Sequence, residues 1–324
     1  MSAIRRLPTC WASRTPIPSS GPTKAGLERH RNKPAKMPWP RPVAGLRGYA
    51  AALRSFLWCL FVVGASGNAG EPLVTHGGLA ALAATQAEST TLVVQDPSGA
   101  RWASDPAAAE RQSVPASTFK IASTLAALEA GLVEDASTVL PWDGIRRNRE
   151  EINSDLSLRE AFHRSALPHF QALVRRLGPE ALAAFLLRVG YGNAQSNEGV
   201  EFWLRGPLAI SPLEQIAFLE ALRAQGLAAS PKAQATLWAL MEKPPLGDRP
   251  WRGKTGWSRP PGGPDVGWFV GALEGSRGPC FVAVRLETDT PNPETFLPRR
   301  EALAQDALNA FPACRTPAPG KIPG

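Results

Sequence analysis

A run that is apolar around nearly its whole circumference is the strongest constraint in this chain. Residues 115–131, Pro-Ala-Ser-Thr-Phe-Lys-Ile-Ala-Ser-Thr-Leu-Ala-Ala-Leu-Glu-Ala-Gly, read as a helix carrying Phe119, Ile121, Ala122, Leu125, Ala126 and Leu128 on most of its faces. Such a helix belongs in the interior, so the rest of the chain must supply layers around it. Pro115 favours a break before the first turn, and Gly131 suits a left-handed cap after the last. Ser117 and Lys120 are three apart, hence on one face with hydroxyl and amine in hydrogen-bond reach. Burial and the positive end of the helix both disfavour an ammonium ion, and a neutral amine is what a general base must be. Alone, Ser-x-x-Lys is more often a cap and a lysine that snorkels to solvent.

The chain has 324 residues, enough for one large domain or two ordinary ones, with a formal charge of +8. That charge is not evenly spread. Of 36 Lys and Arg, eleven lie within residues 1–69, where Glu28 is the one acid among 28, leaving 25 basic against 27 acidic residues in the body. Nothing in the body calls for a nucleic acid partner. The four His (30, 76, 163, 169) and four Cys (10, 59, 280, 314) lack zinc-type spacing, so no metal is expected.

Residues 1–69 read as a leader. Arg47 and Arg54 precede an apolar core at 55–65, short for a membrane span and right for a signal peptide, and Gly67-Asn68-Ala69 places small residues at −3 and −1. The expectation is export to the periplasm with cleavage after Ala69, and contact with the membrane only through the leader. The Pro- and Arg-rich stretch before Met37 suggests that Met37 is the true start, a disordered extension being the alternative; for the apolar core, the alternative to a cleaved signal is an uncleaved anchor. After cleavage Cys280 and Cys314 remain, in a compartment that permits a disulfide; their spacing leaves pairing open.

Along the body, a short helix is expected within 79–87 and strands at 90–95 and near 101–103, followed by a polar segment at 108–113. Residues 146–151 are a charged, exposed loop. Helices follow at 158–162 behind a Ser157/Glu160 capping box, at 169–177, at 179–188 with Pro at its first position, from Ser211 toward Gly226, and at 230–241. Residues 252–257, 267–273 and 280–286 read as an antiparallel meander, and a last helix spans 298–311 before a disordered tail at 316–324. These elements give an α+β chain: an antiparallel sheet flanked by helices, about 70–114 and 232–312, into which a mostly helical part, about 115–231, is inserted. The catalytic domain covers 70–315, with a cleft where the parts meet.

Four short motifs occur in order: Ser117-Thr-Phe-Lys120, Ser165-Ala-Leu167, Tyr191-Gly192-Asn193 and Lys254-Thr255-Gly256. Trp142-Asp143-Gly144, Phe202-Trp203-Leu204 and Leu297-Pro298-Arg299-Arg300 accompany them. Together the set resembles the penicilloyl-serine enzymes, and within them the class D (oxacillinase-type) serine β-lactamases, over about residues 90–311. The resemblance implies the β-lactamase/transpeptidase-like fold and hydrolysis of a small-molecule β-lactam, a penicillin or an oxacillin-type substrate, through an acyl-serine intermediate.

It also implies roles. Ser117 would be the nucleophile, with its own N–H and that of Trp257 as oxyanion donors. Lys120 would be carboxylated by carbon dioxide (N6-carboxylysine) and serve as general base, with no other cofactor than carbon dioxide or bicarbonate. Trp203 would donate to that carbamate, and Phe119 and Leu167 would keep its pocket dry. Ser165 would relay a proton toward the leaving nitrogen. Lys254 and Thr255 would position and polarise the substrate, and Gly256 would let it approach the strand. Arg300 would pair with the substrate carboxylate, Arg299 being the alternative and otherwise a solvated charge. Tyr191, Gly192 and Asn193 look mainly structural, and His163 and His169 are ordinary helix residues. Leu167 stands where the family usually has Val. Two rival activities share the motifs: a β-lactam sensor domain that acylates without turnover, and a cell-wall DD-peptidase. The sequence contains no His-Glu-x-x-His protease motif of the kind such sensors carry upstream.

Overall fold

The computed structural model describes residues 73–197 and 199–315. The leader, its cleavage point after Ala69 and the tail at 316–324 lie outside the described residues. Strand β1 (Val74–Thr75) leads into helix α1 (Gly77–Ala84), which the Nδ1 of His76 caps by accepting from the Leu79 N–H. Strands β2 (Ser89–Gln95) and β3 (Arg101–Ala103) form a hairpin over the Asp96-Pro-Ser-Gly99 turn, and α2 (Pro106–Glu110) starts at an Asp105 cap. That short helix occupies part of a segment whose polar composition reads as loop; the cap and Pro106 at its start supply the helix signal.

A 3-10 helix (Ala116–Phe119) then runs directly into α3 (Lys120–Glu129). Ser117 therefore sits in a 3-10 turn and not, as the sequence suggests, in the first turn of an α-helix. All residues of α3 from Lys120 to Ala127 are buried, and Gly131 follows at φ +63°. Strands β4 (Val139–Leu140) and β5 (Leu156–Ser157) pair as a small separate sheet. Next come α4 (Leu158–His163), with its Ser157/Glu160 capping box formed, α5 (Leu167–Leu177), α6 (Pro179–Val189) and the single turn α7 (Phe202–Arg205). Helices α8 (Pro212–Arg223) and α9 (Pro231–Leu240) complete the middle of the chain, and α8 packs on β2 and on the strands that follow.

Those strands are β6 (Glu242–Leu246), β7 (Arg249–Ser258), β8 (Asp265–Leu273) and β9 (Cys280–Thr288), before α10 (Pro293–Asn309). The large sheet has the order β1-β3-β2-β9-β8-β7-β6, antiparallel except for β1 beside β3. Both faces are covered. Val93, Val270, Ala272, Phe281 and Ala283 face the helices around α3, while Leu92, Val94, Phe269, Val282 and Val284 face α1 and α10. This accounts for the unbroken apolar run of β9, which a half-solvated strand would not show.

Two further elements differ from the sequence expectation. Strand β6, Glu-Lys-Pro-Pro-Leu, has two prolines that argue against a strand; it lies at the sheet edge, where missing N–H donors cost no ladder bond. Helix α10 begins at Pro293 behind an Asn292 cap, five residues before the expected start, and takes Pro298 into its second turn. Cys280 and Cys314 are joined by a disulfide, which ties the end of the chain to β9. Among the described residues no helix is long and apolar enough to cross a membrane.

Candidate active site

In a 3-10 turn, residues three apart eclipse each other. Lys120 Nζ accordingly lies directly at Ser117 Oγ, donating at 2.9 Å. The amine is 1% exposed, with the Phe170 ring 5.1 Å from it. Burial pushes its pKa down to about 7, and the positive charge of Arg149 adds to the effect. The turn is held from behind. Thr118 Oγ1 donates to Pro115 O at 2.6 Å and accepts from Gln215 on α8, while Trp268 on β8 donates its indole N–H to Val114 O at 2.9 Å. The fully buried Arg285 of β9 donates to the carbonyls of Arg111 and Ala108, anchoring the approach to the same turn.

The facing wall is β7. Lys254 Nζ donates to Ser165 Oγ at 2.5 Å and to Thr255 O at 3.0 Å. Its pKa is held well below the ordinary lysine value, by burial first and then by the charges of Lys120 and Arg300. Ser165 itself sits at φ +50° between α4 and α5, a left-handed backbone that brings its hydroxyl round to the lysine. Pairing of β6 with β7 ends at Arg252, and Gly253 N–H donates to Met241 O on that side. The two-residue period of a strand then turns the N–H of Trp257 to the same edge, beyond the end of β6 and toward Ser117. Ser117 N–H, in the first turn of its helix, has no intrahelical acceptor.

Gly256 has a packing use besides the one the sequence suggests. A Cβ there would meet Pro115 O at 3.1 Å and Ala116 Cβ at 3.3 Å, so the missing side chain lets the nucleophile turn pack against β7. Arg300 on α10 donates to Gly256 O at 2.5 Å and lines the cavity, whereas Arg299 is paired with Glu88 at 2.9 Å. Of the two arginines, Arg300 is the one at the site, and Arg299 is an ion-paired residue rather than a solvated charge. Burial pushes Arg300 down to about 10.

Trp203 on α7 stacks on Phe119, ring centroids 5.2 Å apart, and its buried indole N–H has no hydrogen-bond partner. An unsatisfied buried donor is costly, and a single anionic oxygen near the Phe119–Lys120 turn would satisfy it. Leu167, at the first position of α5, lines the cavity. The Tyr191-Gly192-Asn193 turn does not. Tyr191 is buried against Phe119 and Phe218, a Cβ on Gly192 would lie 2.2 Å from Ala209 O, and Asn193 holds Ala209 N–H and Pro207 O through its amide. The turn braces residues 207–210, and Ile210 bridges to Ser113 just ahead of the nucleophile.

These walls enclose a cavity of about 1080 Å³, with Ser117, Ser165, Leu167, Thr255, Trp257 and Arg300 in its lining. Several of its residues carry no motif signal. Asp265, 1% exposed, accepts from Trp257 Nε1 at 2.6 Å and from Arg259 Nε at 2.5 Å, fixing an indole that is itself 40% exposed. Arg149, from the charged run that reads as a simple exposed loop, reaches the cavity by donating to Arg164 O. His163 also lines it, with a pKa lowered chiefly by burial, while His169 is buried with Nε2 3.0 Å from Ser154 O.

The penicillin-binding protein transpeptidase domain matches residues 77–307. The chain is 37% identical over 208 residues to β-lactamase OXA-20 of Pseudomonas aeruginosa, covering 63% of this chain and 76% of that protein. It is 36% identical over 212 residues to β-lactamase OXA-2 of Salmonella typhimurium, covering 64% and 74%. In structure it is similar to FUS-1 (OXA-85), a class D β-lactamase from Fusobacterium nucleatum subsp. polymorphum, with a TM-score of 0.70, 28% identity and coverage of 74% of this chain and 99% of that one. With the matched domain spanning both walls of the cavity and relatives of one kind on every side, the chain belongs to the penicillin-binding transpeptidase family and, within it, to the class D serine β-lactamases.

Proposed function

We propose that the protein hydrolyses β-lactams through an acyl-serine intermediate on Ser117, with carboxylated Lys120 as the base in both halves of the reaction. The observation that carries the reading is the pairing of a buried Lys120 Nζ, 2.9 Å from Ser117 Oγ, with an unpartnered buried Trp203 indole N–H close by in the fold. Carbon dioxide adds only to an unprotonated amine, and the carbamate it forms supplies an anionic oxygen beside Ser117 Oγ. The Trp203 donor fits that oxygen.

Ser117 Oγ gives up its proton to the base at Lys120 as it attacks the lactam carbonyl carbon. The oxyanion that forms is met by the N–H groups of Ser117 and Trp257. As the C–N bond breaks, Ser165 passes a proton to the departing nitrogen and is resupplied from its contact with Lys254. Arg300, with Lys254 and Thr255, orients the ring carboxylate. Water then attacks the ester carbonyl, losing a proton to the base at Lys120, which returns it to Ser117 Oγ as that oxygen leaves. Phe119, Phe170 and Leu167 limit water around Lys120. We further propose that the enzyme acts in the periplasm after cleavage following Ala69, which sequencing the N-terminus of the exported protein checks.

The deciding experiment is turnover of a penicillin by purified protein with and without bicarbonate. Steady turnover raised by bicarbonate and lost in Lys120→Ala is expected. Wild-type turnover in that variant sinks the carbamate base, and one stoichiometric burst with no further product indicates a sensor domain instead. Cleavage of a D-Ala-D-Ala peptide in preference to the penicillin indicates a DD-peptidase.

A further inference from the structure

The body of the chain is close to electrically neutral, yet five arginines line the cavity against two carboxylates. Two of the five are answered within the wall: Arg205 pairs with Glu201 at 2.7 Å, and Arg259 pairs with the buried Asp265. Arg300, on the Gly256 side, is taken up by the ring carboxylate. Arg149 and Arg164 remain; they belong to the part of the wall that carries Ser165, whereas Arg300 is on α10, and they are joined by the hydrogen bond from Arg149 Nη2 to Arg164 O next to Ser165. Their acidic partners, Glu151 and Glu160, stand outside the cavity lining. Arg149 spends Nε and Nη2 on protein contacts, which leaves Nη1 for a ligand.

Substrate chemistry makes this asymmetry meaningful. In a penicillin the ring carboxylate and the acylamino substituent sit at opposite ends of the fused rings. With the lactam carbonyl at Ser117 and the carboxylate toward Arg300, the acylamino end extends toward Arg149 and Arg164. The cavity, about 1080 Å³, has room for a substituted side chain there. The field of Arg149 also reaches the reacting centre, since its charge helps lower the pKa values of both Lys120 and Lys254. Positive charge focused in a cleft favours an anion far more than the same charge on an open surface.

We propose that Arg149 and Arg164 form a second anion subsite, so that this enzyme favours β-lactams whose acylamino side chain carries its own carboxylate or sulfonate. The inference rests on the hydrolytic reading above. Its test compares two penicillins that differ by one side-chain carboxylate, benzylpenicillin and carbenicillin, and reads the ratio of their kcat/KM values, carbenicillin over benzylpenicillin. In the double variant Arg149→Gln/Arg164→Gln that ratio should fall about tenfold, through KM, as expected for loss of charge complementarity at a partly exposed site. In Glu151→Gln, which releases Arg149 from its ion pair, it should rise about threefold. Raising the salt concentration should erode the wild-type ratio. A ratio that stays within about twofold in both variants overturns the subsite while leaving hydrolysis intact. Failure to turn over either penicillin overturns the hydrolytic reading itself, and the subsite with it.

Discussion

Lys120 is the residue whose chemistry can be followed by pH. Its folded pKa of about 7 lies below the ordinary value of 10.5, so between those limits the unfolded chain binds more protons than the folded one. Stability of enzyme kept free of carbon dioxide should therefore rise with pH across that window, the penalty being complete below pH 7. Lys254, shifted in the same direction, adds a slope of the same sign. Lys120→Met isolates the first: it should unfold with a shallower pH slope, gain about 2 kcal/mol at pH 6 and lose at least roughly a thousandfold in kcat. Urea denaturation at pH 6 to 10, run beside a penicillin assay, checks both. Asp265 gives a second prediction. Asp265→Ala releases the Trp257 indole and Arg259, so KM should rise about fivefold with kcat less affected, stability should fall by about 2 kcal/mol, and the fluorescence of Trp257 should report a freer ring. Unchanged KM and fluorescence would show that the indole is held by something else.

At the scale of elements, the site depends on how closely the nucleophile turn packs on β7. Gly256→Ala places a methyl 3.1 Å from Pro115 O, and since backbone cannot yield as a side-chain tip can, the turn must shift. The variant should fold, lose about 1 kcal/mol of stability and fall at least tenfold in kcat, because a small displacement of an oriented nucleophile is costly. Acylation kinetics by stopped flow measure this directly. Much at this scale was legible in the sequence. The all-round apolar pattern of α3, the capping box of α4, the start of α8 at Ser211 and the strand-like runs of β2 and β9 are local signals that tertiary structure did not override. What was not legible depends on neighbours. The two prolines of β6 are tolerated because an edge needs no donors, the 3-10 form of the Ser117 turn follows from packing on β7, and the role of Gly256 appears only once Pro115 and Ala116 are placed over it. Arg149 and Asp265 carry no motif, and only closure of the cavity makes them part of it.

For the molecule as a whole, the disulfide between Cys280 and Cys314 spans 34 residues and holds the chain end against the layer formed by α10 and β9. Constraint of the unfolded chain by a loop of that length is worth about 3–4 kcal/mol. Reduction should lower stability by that amount, with kcat/KM at 25 °C nearly kept; paired urea curves with and without reductant, followed by a penicillin assay, test it. Strand β2 pairs along its full length with β9, Ser89 opposite Glu287 and Gln95 opposite Phe281, although the hairpin that contains β2 is synthesised early among the described residues and β9 nearly last. A nascent chain therefore carries β2 without its β9 partner, with the nucleophile made but the braces from Trp268 and Arg285 still missing, until most of the residues have left the ribosome. Competence to attack a β-lactam is in this sense a property of the finished polypeptide, and no partial product of translation can acquire it early.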